Sequence, residues 1–177
     1  MEGQSAQTPA RAVESYLGPI ESLVKELIRT GGLELAFTLR KVAAPEEDFE
    51  TPAFVVDFTG PDRDLLLEKN ATLLNALEYV VLKAVRLEED LFGKITFDCG
   101  DWRRLRAEEL KLMAQVAAQR VIETGDPFAL NPMSPRERRI IHLALRDQPQ
   151  VRTVSEGVGP ERKVVIHSTS PPARRRL

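Results

Sequence analysis

Apolar residues recur along this chain with two different spacings, and the pattern predicts a mixed α+β protein. Intervals of three and four residues predict helices over about 12–29, 61–67, 72–87, 101–124 and 135–146. Alternation of apolar and polar residues predicts strands near 33–39, 54–58, 94–98, 128–130, 151–154 and 163–167. The first two strands lie close enough in sequence to pair as antiparallel neighbours.

The predicted helix over residues 101–124 needs one face in a core, because its apolar residues recur at helical intervals. The positions expected to face that core are Trp102, Leu105, Leu110, Met113, Val116, Ala117 and Val121. The polar residues 1–11 predict a disordered lead, and residues 169–177, with two prolines and three arginines near the end, predict a flexible basic tail.

The start of the helix over 135–146 carries strong local signals. Ser134 can accept a hydrogen bond from the backbone three residues on, Glu137 can return it, and Pro135 suits the first helical position. Arg138 and His142 stand four residues apart, so both project from one face of this helix. The sequence therefore predicts a well-defined helix with a cationic face.

The chain has a net charge of −2, but its two ends differ in sign. Residues 131–177 contain 10 Lys and Arg against 4 Asp and Glu, a net charge of +6, which leaves 15 against 23, or −8, in residues 1–130. Clustered basic residues attract a phosphate backbone by releasing its counterions. The C-terminal part is thus the predicted polyanion binder.

Several classes of function are disfavoured by composition. No apolar run approaches the ~20 residues that span a bilayer, so we expect no membrane insertion and a cytoplasmic location. The lone Cys99 and the two histidines predict neither a disulfide nor a zinc site. No phosphate-binding loop, nucleophile elbow or paired metal-ligand motif is recognisable, and we predict a protein without catalytic residues, metal or cofactor.

The segment around Arg138 and His142, residues 131–145, resembles the RxxxH domain of bacterial SpoIIIJ-associated (Jag) proteins, and residues 151–157 and 162–166 continue the resemblance. In that family the RxxxH domain follows a KH domain. Residues 65–80 resemble the KH helix-loop-helix, and residues 98–106 resemble the start of the family's linking helix. The resemblance covers about residues 15–168, and we expect no Jag-type N-terminal domain.

The resemblance implies a domain order: a KH-like domain of prokaryotic type (αββααβ) over 12–100, a linking helix over 101–126 and an RxxxH domain over 127–168. One position departs from the KH pattern. The family's GxxG loop lets a nucleic-acid backbone approach closely, whereas the matching residues here are Glu68, Lys69, Asn70 and Ala71. We therefore expect a degenerate KH loop, with binding mainly through the RxxxH domain.

The resemblance further implies a bacterial protein that binds single-stranded RNA or DNA and regulates gene expression after transcription or cell elongation. Arg138 would pair with phosphate, and His142 would donate to phosphate or stack on a base. The auxiliary basic residues would be Arg136, Arg139, Arg162 and Lys163.

Two alternatives stay open. By residue type alone, Arg138 and His142 also fit an ordinary surface arginine and a histidine bonded to backbone, and Arg103, Arg104 and Arg106 fit either a nucleic-acid path or a solvated helix face. In the second alternative, the KH-like domain binds a partner protein, such as a KH-only protein or a second copy of the chain.

Overall fold

A computed structural model of the protein describes residues 9–42 and 52–169, with side chains described from Val13. The greater part of the predicted disordered lead and nearly all of the predicted basic tail lie outside the described residues. The chain divides into two compact units, Met1–Trp102 and Arg103–Leu177, called here the N-terminal and C-terminal units. Both mix helices and strands, which confirms the predicted α+β class.

The N-terminal unit contains helix α1 (Pro9–Gly31), strands β1 (Ala36–Lys41) and β2 (Phe54–Thr59), helix α2 (Arg63–Ala84) and strand β3 (Ile95–Cys99). The sheet order is β1-β2-β3. Strands β1 and β2 are antiparallel, as predicted, whereas β2 and β3 are parallel. Helix α1 begins three residues before its predicted start, so residues 9–11 of the predicted lead are helical.

One face of this sheet forms the core of the N-terminal unit. Alternation along β2 and β3 places Phe58 and Phe97 on that face, where both are fully buried and their ring centroids lie 5.5 Å apart. Apolar residues of the helices complete the core, among them Val13, Ile20, Val24, Leu66, Leu74 and Val81. The apolar positions with helical spacing in α1 and α2 are therefore the ones that pack on the sheet.

Helix α2 is two helical segments separated by a tight turn at the predicted degenerate loop. Glu68 is extended (φ −56°, ψ 149°), and Lys69, Asn70 and Ala71 all have left-handed backbone, with φ of 49°, 58° and 56°. The predicted break between helices near residues 68–71 is confirmed. Left-handed backbone is unfavourable for residues with a Cβ, and Ala71 is nevertheless fully buried there.

The outer edge of β3 is closed by a side chain of α2. Glu78 Oε2 accepts hydrogen bonds from Phe97 N (2.7 Å) and from the hydroxyl of the buried Thr96 (3.0 Å). A backbone N–H on a sheet edge would otherwise be unpaired, so Glu78 satisfies a donor that the strand order leaves over.

The C-terminal unit contains most of helix α3 (Trp102–Thr124), strand β4 (Phe128–Ala129), helix α4 (Pro135–Ala144) and strands β5 (Val151–Glu156) and β6 (Lys163–Ser168). The strands form an antiparallel sheet of order β4-β6-β5. The β5–β6 connection includes a 3₁₀ turn, Gly159–Glu161. Every element predicted for this part of the sequence is present, with ends shifted by at most two residues.

The predicted core face of α3 is only partly correct. Leu110, Ala117 and Val121 are buried as predicted, but Leu105 and Val116 are 51% and 64% exposed. The remaining buried positions belong to Ala114 and Ala118, whose small side chains give a weak apolar signal. Among the described residues, no helix has both the length and the apolar character needed to cross a membrane.

Candidate nucleic-acid interface

Helix α4 begins with the capping box that the sequence predicts. Ser134 Oγ accepts from Glu137 N (3.3 Å), and Glu137 Oε2 accepts from Ser134 N (2.9 Å), with Pro135 in the first turn. These bonds pair backbone donors that the first turn of a helix leaves without partners. The start of α4 is therefore fixed by its own side chains.

Glu137 also joins α4 to α3. Its Oε1 accepts from Arg106 Nε (2.9 Å), and the two side chains are only 15% and 16% exposed. Burial raises the pKa of Glu137, but hydrogen bonds from Ser134 and the Arg106 guanidinium outweigh it and hold the pKa below its ordinary value. Arg106 is thus engaged in a largely buried ion pair, which favours a packing role over a path for nucleic acid.

Arg138 and His142 meet the same strand. Arg138 Nη1 donates to Ser155 Oγ (3.2 Å), and His142 Nε2 lies 2.9 Å from that same hydroxyl. His142 Nδ1 lies 2.6 Å from Thr153 Oγ1. Alternation along β5 puts Thr153 and Ser155 on one side of the strand, so two hydroxyls face two α4 side chains spaced one helical turn apart.

The Arg138 guanidinium has one closed edge and one open end. Its Nε is buried and has no hydrogen-bond partner among the described residues, whereas the residue as a whole is half-buried. A phosphate can therefore be reached only through the terminal Nη groups, of which Nη1 already donates to Ser155. This geometry favours an end-on contact between Arg138 and an anion.

His142 is held in its neutral form near pH 7. Burial, followed by the positive charge of Arg138, lowers the pKa of His142 below its ordinary value. Both ring nitrogens already face strand hydroxyls. Of the two predicted roles for His142, donation to phosphate competes with these bonds, while stacking through the ring does not.

The auxiliary basic residues are mostly exposed to solvent. Arg136, Arg139 and Arg162 are exposed and Lys163 is half-buried. The backbone of Arg162 accepts from Met133 N (3.1 Å), which ties the end of the β5–β6 connection to the segment before α4. Sequence reasoning missed Thr153 and Ser155; the available signal was that polar residues at alternate positions of a strand share one face.

Comparison with known proteins gives the C-terminal unit a family. Residues 108–168 match the family model of the R-3-H domain, the domain named for its RxxxH motif. The match begins inside α3, within the part of the sequence that we predicted to be a linking helix, and it includes α4 with Arg138 and His142. The RxxxH domain therefore comprises the helix pair and the sheet that place these two side chains against β5.

Curated relatives extend the similarity beyond the RxxxH domain. The chain is 35% identical over 111 residues to the RNA-binding protein KhpB of Clostridium symbiosum, an alignment that covers 63% of this chain and 50% of that protein. It is 31% identical over 160 residues to the KhpB of Lactiplantibacillus plantarum, covering 90% and 45%, and 34% identical over 110 residues to that of Bacillus subtilis, covering 61% and 53%. The chain spans about half the length of these relatives.

Proposed function

We propose that this protein binds single-stranded nucleic acid, and RNA in particular, through its RxxxH domain and without catalysis. The observation that carries the proposal is the convergence of Arg138 and His142 on Ser155, in a domain with basic residues exposed around them. The relatives' name, RNA-binding protein, supports RNA as the ligand. The proposed cellular role is regulation after transcription.

In this proposal Arg138 contacts a phosphate through its terminal nitrogens, and His142 stacks on a base or orients its neighbours. Arg136, Arg139, Arg162 and Lys163 add long-range attraction along the strand. Arg138 carries the largest share because an arginine fixed by a neighbouring hydroxyl loses less conformational entropy on binding than a free surface side chain.

The test is the affinity for a fluorescently labelled oligouridine, measured against salt concentration. Loss of a hydrogen bond to a charged group costs about 1.5–3 kcal/mol, so Arg138→Ala should weaken binding about tenfold or more. The slope of log affinity against log salt should fall by about 0.7, the value for one phosphate contact on a single strand.

A matched control is Arg146→Ala, which removes an exposed arginine just beyond α4 whose Nε lies 3.5 Å from Asp147. Its effect on affinity should be several-fold smaller. If folded Arg138→Ala and the double variant with His142→Ala both bind like wild type, the RxxxH domain is not the binding site.

For the N-terminal unit we propose a KH-like domain with a degenerate loop. Its element order, a helix, two antiparallel strands, two helical segments and a third strand, supports this assignment. The turn of Glu68, Lys69, Asn70 and Ala71 has a carboxylate and three side chains where the family's loop has glycines for close approach. We propose that this turn contributes little to RNA affinity.

A second candidate function is that of a protein-interaction adaptor, through the N-terminal unit. The observation in its favour is that α2 exposes large apolar residues, among them Leu73 (44%) and Val80 (53%), which lie seven residues apart on one face. A KH-only protein or a second copy would be the partner. Sedimentation of the chain alone, with Val80→Asp as the variant, tests the second copy.

A further inference from the structure

One serine hydroxyl of β5 contacts both residues of the proposed RNA site. Ser155 Oγ lies 3.2 Å from Arg138 Nη1 and 2.9 Å from His142 Nε2. Among the residues that the structure describes, the hydroxyl has no further hydrogen-bond partner. It is half-buried, so the protein shields these contacts in part from competing water.

The chemistry of the three groups limits where the protons are. Arginine only donates, so Ser155 Oγ must accept from Arg138. The single Ser155 proton then has one described acceptor within reach, His142 Nε2. If Nε2 carries no proton, the neutral ring is protonated at Nδ1 and donates to Thr153 Oγ1, 2.6 Å away.

The opposite tautomer is less favourable. It would point two N–H donors, one of them cationic, at the same oxygen, and it would leave the Ser155 proton with no described acceptor. The first arrangement instead runs head to tail from Arg138 through Ser155 and His142 to Thr153. Successive bonds in such a chain polarise and strengthen one another.

We propose that Ser155 is the positioning residue of the RxxxH site: its hydroxyl fixes the Arg138 guanidinium and holds His142 as the Nδ1–H tautomer. This inference rests on the proposed function. It assigns to a strand residue the orientation of both helix side chains. It also leaves the Thr153 hydroxyl proton as a donor available to the bound strand.

Two measurements test the positioning role in the full-length protein. The ¹⁵N shifts of the His142 ring distinguish the two tautomers directly, and wild type should show Nδ1–H. Ser155→Ala should mix the tautomers and weaken oligouridine binding about tenfold, close to the loss in Arg138→Ala, because the guanidinium loses its fixed partner.

Ser155→Thr keeps the hydroxyl, suits a strand position and should restore both the tautomer and the affinity. Thr153→Val removes the terminal hydroxyl at nearly constant volume and should change affinity less than Ser155→Ala. Backbone amide spectra identify any variant that fails to fold. In that case the wild-type tautomer and the Ser155→Thr rescue still decide the matter.

The possible failures are separable. An Nε2–H tautomer in wild type, or full affinity in folded Ser155→Ala beside weak binding in Arg138→Ala, overturns the positioning role and leaves the proposed function standing. Full affinity in both Ser155→Ala and Arg138→Ala overturns the proposed function as well.

Discussion

Glu137→Ala should destabilise the C-terminal unit by about 2–3 kcal/mol. The variant loses the bond that caps the Ser134 N–H, and loss of a helix cap costs about 1 kcal/mol. It also removes one of the two carboxylates that contact the Arg106 guanidinium. Breaking a fully buried ion pair costs about 3–5 kcal/mol, and because Arg106 keeps Glu109 and some exposure, we take about 1–2 kcal/mol here.

The assay must report on the C-terminal unit alone. Trp102 packs against the core of the N-terminal unit, so tryptophan fluorescence follows the wrong part of the chain. Amide hydrogen exchange of the buried Ile140 and Ile141 in α4 is suitable. A loss of 2–3 kcal/mol should accelerate their exchange roughly 30- to 150-fold if exchange proceeds through unfolding of the unit.

Glu109→Ala provides the matched control because Glu109 contacts the same guanidinium at 2.8 Å but is 57% exposed. An exposed pair is worth about 0.2–1 kcal/mol, so this variant should cost much less. A double-mutant cycle of Arg106→Ala with Glu137→Ala isolates the ion pair from the cap. If Glu137→Ala costs no more than Glu109→Ala, the claim that burial makes this pair important is wrong.

Three further predictions concern single residues. Lys69→Gly should stabilise the N-terminal unit by about 0.5–1 kcal/mol in urea denaturation followed by Trp102 fluorescence, since glycine accepts left-handed backbone while costing some unfolded-state entropy; Asn75→Gly, inside the helix, should destabilise it. Glu78→Ala should cost about 1–3 kcal/mol in the same assay, because Phe97 N loses its acceptor. The lowered pKa of His142 stabilises the fold above its unfolded pKa of about 6.5, and that contribution is lost as pH falls through the lower folded pKa; His142→Gln should flatten this part of the dependence of Tm on pH.

Local interactions explain which parts of this structure the sequence could predict. The capping box of Ser134 and Glu137 connects residues three apart, and it appears as predicted. The break near Lys69 was visible because apolar periodicity stops there. By contrast, the parallel pairing of β2 with β3 depends on how α2 crosses the sheet, and no local pattern carries that information.

The errors have the same origin. Leu105 and Val116 occupy helical positions that look core-facing, but the buried face of α3 is set by the surfaces it packs against, where Ala114 and Ala118 permit close approach. The contact of Ser155 with Arg138 and His142 joins residues 17 and 13 positions apart in sequence. It requires both the alternation of β5 and the placement of α4 on the sheet, so spacing in the helix alone could not show it.

The arrangement at α4 bears on where an anion can bind. A helix N-terminus often binds phosphate through its free N–H groups, but here Ser134 and the Glu137 carboxylate occupy those groups, and the carboxylate would repel a second anion. The proposed contact therefore lies along the flank of the helix, at Arg138. A flank arginine has no helix dipole to orient its ligand, so its orientation must come from a neighbouring element, which is the role that the β5 hydroxyl of Ser155 would fill. Counting basic residues on α4 would overstate the site, because the residues that contact a phosphate are those that a second element holds in place.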